Sequence, residues 1–144
     1  MRPYENLLFG GESASSKAAD LGRAALRVFM GLALAFTHGL GKLPPLDGFV
    51  EGVGDMGLPA PGFFAWMSGL AEFVGGLLLA AGLLTRPASL FVVINMTVAI
   101  LLWHASDPFG GREKALLFGF VGLMYLLAGA GRYSMDALIR RNRS

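Results

Sequence analysis

Glu72 stands in the middle of a long apolar run, where few chemistries call for a carboxylate. An ionisable group in such a run is costly, and it marks a ligand site, a relay or an ion pair. It needs a cationic or hydrogen-bonding partner. An earlier run supplies three candidates, Arg27, His38 and Lys42. On an ideal helix these three fall within about 60° of one another, so one stripe carries three cationic or potentially cationic groups. Arg27 or His38 is the expected partner of Glu72, directly or through water. Asn95, at middle depth of a third run, adds an amide that acts as interhelical glue worth about 1 kcal/mol or as a ligand contact. His104 lies near the outer end of that run beside Trp103, and it reads equally as an interfacial pair. The expected polar core is therefore Arg27, His38, Lys42, Glu72 and Asn95, with His104 beyond them. Its expected function is ligand binding; the plainer alternative is a structural core that fixes helix register.

No residue in this set is assigned a catalytic role. The 144 residues include no cysteine, which removes thiolate nucleophiles, disulfides and Cys-held metal clusters. Two histidines far apart in sequence make no metal site. No phosphate-cradling glycine loop is present, and nothing points to nucleic acid. The 21 glycines lie mostly in or beside the apolar runs, where they allow helices to approach.

The elements that must position these groups are membrane helices. Hydrophobic residues make up 54% of the chain and charged residues 15%, too few to clothe a soluble domain. Four apolar runs are read as spans, at about 21–43, 63–84, 87–105 and 115–130. The stretch 47–55 alternates Phe49, Val50 and Val53 with Asp47, Glu51 and Asp55 at helical spacing. It predicts a short amphipathic helix lying in the membrane interface, as a lid or a gate. Pro44 and Pro45 precede it, and Pro59 and Pro61 follow it. The expected fold is thus all-α, a membrane four-helix bundle with a short interfacial helix between spans one and two. A tail occupies 1–20, the transmembrane domain 21–140, and a basic tail 141–144. Nine Lys and Arg fall on one side of such a bundle and three on the other, which predicts that both termini are cytoplasmic.

Several motifs, taken in order, resemble those of the DoxX family of small four-span membrane proteins. His38-Gly39, Gly41 and Lys42 resemble its first-span motif. Leu58 to Pro61, Glu72 with Gly75-Gly76, and Gly82 to Arg86 resemble its second. Ala128 to Asp136 is similar to its closing motif. The resemblance covers about residues 20 to 140. It implies a small subunit or accessory of a quinone-linked redox complex in the cell membrane, of the thiosulfate or thiol-stress type. A quinone is then the implied ligand, with no covalently bound cofactor. The implied partners are membrane lipid and either protein subunits or further copies of the chain. Distant relatives imply an alternative, a membrane scaffold, cargo receptor or assembly chaperone without catalysis. A small-molecule or proton carrier is the third reading.

Overall fold

The computed structural model describes residues 17–142, and they are all-α. Helix α1 is Lys17–Lys42, α2 is Asp47–Asp55, α3 is Pro61–Ala81, α4 is Thr85–Trp103, α5 is Phe109–Ala128 and α6 is Met135–Arg141. Parts of both expected tails, 1–16 and 143–144, lie outside the described residues. α1, α3 and α4 are long and apolar enough to cross a membrane. α5 has 20 residues, but Arg112, Glu113 and Lys114 sit in its opening turns. Those charges made 109–114 read as loop, yet they lie at the open end of the helix, where long side chains reach water.

Side-chain size is inverted relative to a soluble bundle. Phe29, Phe91, Leu101, Phe120 and Leu127 are exposed, while Gly31, Ala35, Gly69, Gly75, Ala80 and Gly122 face neighbouring helices. Large apolar side chains outside and small ones inside suit a solvent of lipid tails, where close backbone packing holds helices together. α1 and α3 run antiparallel at near-backbone contact. A Cβ on Gly31 would meet the carbonyl of Gly76 and the backbone of Ala80, and one on Gly39 would strike the backbone of Phe73. α3 packs on α4, and α4 on α5 along Gly119 and Gly122, with Leu34, Val92, Met96 and Ala115 at the core. α5 returns the length of the bundle, with Phe118 against His38 near one end and Tyr125 reaching the carbonyl of Arg23 near the other.

Two helices are not regular throughout. α1 passes into a π-helical turn over Leu34–Gly39, and α4 into one over Ala99–Trp103. In each, a threonine at or just before the turn donates to the carbonyl four residues back, Thr37 to Ala33 and Thr97 to Val93. Such back-bonding competes for the helical acceptor and favours a local distortion. A π-turn advances the chain without completing the ordinary rotation, so residues beyond it leave the stripe an ideal helix would give them.

Candidate functional site

Glu72 projects from the small-residue face of α3 and is buried, its side chain 3% exposed. Lys42, at the end of α1, places Nζ 2.6 Å from Glu72 Oε1. Asn95 of α4 donates its side-chain amide to the same oxygen at 2.9 Å. Three helices therefore meet at one carboxylate oxygen. The other oxygen, Oε2, is buried without a hydrogen-bond partner among the described residues. Buried polar atoms are nearly always satisfied, so such an orphan is a pointer to an occupant.

The short helix α2 closes over this centre. The Phe49 ring lies 5.4 Å from Lys42 Nζ, within cation–π range, and 5.7 Å from the ring of Trp103. Gly52 has no side chain where Trp103 stands, since a Cβ there would approach the indole to 2.8 Å. Val53 is buried beneath. The lysine side chain stays 30% exposed and so links the buried carboxylate to the surface.

Arg27 is not part of this centre, contrary to the expectation of one cavity. At 1.5 Å per residue it lies about 22 Å along the axis from Lys42, so a shared face does not give a shared depth. Its guanidinium closes the far end of α3 instead. Nη1 donates to the carbonyls of Leu79 at 2.9 Å and Ala80 at 3.0 Å, and Nη2 to that of Tyr133 at 2.7 Å. A cation at a helix C-terminus satisfies free carbonyls and complements the helix dipole. Gly82 ends α3 with φ +66°, in the left-handed region, and any Cβ there would collide with the Arg27 guanidinium. Glycine at 82 thus serves the turn and the arginine together.

The expected pairing of Glu72 with Arg27 or His38 is likewise replaced by Lys42 and Asn95. His38 lies beside the centre, within electrostatic reach of Glu72, Lys42 and Lys114, and its ring packs edge-on to Phe118 at 5.3 Å. The π-turn that contains it carries its side chain toward α5. His104 is separate: Nδ1 is 2.6 Å from Asp107 Oδ2 in the α4–α5 loop, where Arg112 donates to the carbonyls of Ala105 and Asp107. Among the described residues no group of three His, Asp or Glu gathers where a metal would be held.

Asp136, for which the sequence suggested no partner, is fully buried. Its Oδ1 and Oδ2 accept the backbone N–H groups of Leu84 at 2.8 Å and Thr85 at 3.0 Å. Leu84 has φ +47° and no side chain able to cap α4, so a carboxylate from the distant C-terminal segment caps it. Asp136 N in turn donates to the Gly82 carbonyl at 2.8 Å. Ser134 caps α6 by accepting from Ala137 N at 3.1 Å. A serine followed two residues later by a buried aspartate was the available signal, but its partners lie some 50 residues upstream.

The family model described as DoxX matches residues 22–105, which include Arg27, Lys42, Glu72 and Asn95 but stop short of α5 and α6. The chain is similar to the putative oxidoreductase CatD of Bacillus subtilis, at 28% identity over 89% of this chain and 94% of that one. It is also similar to the inner membrane protein YqjF of Escherichia coli, at 32% identity over 87% and 97%. No solved structure gives a significant match.

Proposed function

The chain belongs to the DoxX family of membrane proteins, and on that premise we propose that it is a small subunit or accessory of a quinone-linked redox complex, of the thiosulfate or thiol-stress type. The centre at Lys42, Glu72 and Asn95 is its ligand site. The observation that carries this reading is the unpartnered Oε2 of Glu72, held in place by two donors on the other oxygen. The printed description of CatD as a putative oxidoreductase supports the redox half of it.

The residues fit a quinone-type headgroup. The Lys42 ammonium and the Asn95 amide are donors for a carbonyl, and Glu72 Oε2 is an acceptor for a hydroxyl. A quinone bound there would supply two-electron chemistry to a partner subunit. The side chains themselves hold and orient the headgroup, and α2 with Phe49 and Trp103 limits water at the mouth. The carrier reading has less support, because Gly31, Gly76 and Ala80 pack backbone to backbone between the Arg27 and Glu72 centres. The scaffold reading is separated by experiment. Protein purified from its membrane in mild detergent is extracted with organic solvent, and quinone and quinol are measured per mole of chain. Glu72→Gln is expected to lower the quinol ratio about tenfold or more, the loss of the one buried charge-assisted hydrogen bond that a quinol hydroxyl donates to Oε2. Equal quinol in both, or partner proteins without quinone or quinol, favours the scaffold.

This reading places α5 in the membrane as a fourth span, with both termini cytoplasmic and α2 outside. The excess of Lys and Arg at the Arg23, Arg86 and Arg132 end supports that orientation. Cysteine at exposed Glu51 is expected to react with an impermeant reagent added to intact cells, and cysteine at Asn142 to react only after lysis. Labelling of Asn142 from outside would overturn the orientation.

A further inference from the structure

Between the second half of α1 and the first turns of α5 lies an open groove of about 460 Å³. Phe29 and Ala33 line it from α1 and Leu117 and Phe118 from α5, with His38 and Lys114 together at one end. The volume is that of a small-molecule site and far exceeds a water's share of about 30 Å³. The apolar part runs toward the middle of α1, while the polar end lies on the same side of the bundle as Lys42 and α2. That is the layout of an amphiphile standing in one leaflet, with its head at the interface and its chain pointing inward.

The charge decides which amphiphile. Lys114 is exposed, and neither the Lys42–Glu72 pair nor the His104–Asp107 pair involves it. Glu113 follows a different face of α5, about 100° round the helix, and does not line the cavity. A cation at the polar end of an apolar groove is answered by an anion that carries its own chain, and basic pockets between spans hold anionic head groups in this way. A neutral headgroup leaves that charge unanswered.

We propose that the groove between α1 and α5 binds one anionic phospholipid, with its phosphate at Lys114 and His38 and an acyl chain along Phe29, Ala33 and Leu117. The site is distinct from the Glu72 centre and does not depend on the ligand proposed there. Native mass spectrometry of the detergent-purified chain tests it. The chain is offered phosphatidylglycerol and phosphatidylcholine of identical acyl chains. The wild type is expected to retain one phosphatidylglycerol in preference. Lys114→Gln is expected to lower that preference about fivefold, the effect of one lysine near an anionic head. Arg112→Gln removes a cation of the same end that does not line the groove, and it leaves the preference unchanged. Ala33→Phe fills the groove, and retention of either lipid falls. Thermal unfolding of each variant confirms that it is folded. The proposal is overturned if Lys114→Gln keeps the preference, if Arg112→Gln lowers it equally, or if Ala33→Phe still holds the lipid. It is overturned as well if the wild type retains a quinone or a second chain there instead.

Discussion

Lys42→Met is expected to lower the stability of the detergent-solubilised protein by about 3–5 kcal/mol, the usual consequence of leaving one member of a buried ion pair behind. Glu72 cannot move to water, because its side chain is 3% exposed and walled by the small residues of α3. With the lysine gone, Oε1 keeps Asn95, and Oε2 has no partner among the described residues. Glu72→Gln is expected to cost less. The ammonium left behind is 30% exposed and can extend to the surface, and the glutamine amide retains an acceptor for Asn95. The asymmetry predicts a specific result for the double variant. Lys42→Met with Glu72→Gln should recover most of the loss of Lys42→Met alone, since neutral replacement of a whole buried pair is often close to costless. Unfolding in denaturing detergent, followed by the fluorescence of Trp66 and Trp103, measures all three. Simple additivity of the two single losses would show that the pair is not coupled.

Arg27→Met is expected to be as damaging, at the other end of the bundle. The guanidinium satisfies three carbonyls from two distant stretches of chain, each worth about 1–3 kcal/mol when left buried and unpaired. Arg27→Lys keeps the charge but not the fork. An ammonium offers donors from a single point and cannot reach Leu79, Ala80 and Tyr133 together. The lysine variant should therefore recover only part of the loss. The location of the damage is also specific. Tyr133 is one of the three acceptors, so the segment from Gly129 to Ser134 should become open to protease in Arg27→Met and stay protected in Lys42→Met. Equal protection in both variants would remove Arg27 from its role as the tie between α3 and that segment.

The apolar runs made the long helices legible because a span must satisfy its backbone internally and expose a lipid-compatible surface. The amphipathic stretch from Asp47 to Asp55 was legible for the same kind of reason, a helical period in short range, and it is α2. Glu72, Lys42 and Asn95 were legible as residues that must find partners inside the bundle. Which partners they find was not. An ideal helical wheel puts Arg27, His38 and Lys42 on one stripe but carries no information on depth, and the π-turn at Leu34–Gly39 alters the phase between them. That turn packs closely against α3, a contact that local pattern does not encode. Asp136 was missed because its meaning lies in two backbone N–H groups of another helix.

The reach of Asp136 back to Leu84 and Thr85 bears on how the protein is made. Chains leave the ribosome from the N-terminus, so α3 and α4 enter the membrane while residue 136 has yet to be synthesised. Until then the left-handed Leu84 and the first N–H groups of α4 have no carboxylate, and the Gly82 carbonyl lacks the N–H that it later accepts. The hairpin between these helices is therefore finished from outside, by a segment synthesised some 50 residues later. A nascent chain stalled before Ser134 would hold all its long helices and still present an open turn at the membrane surface. Closure of that turn thus waits on some 50 further residues of synthesis after the turn itself has emerged.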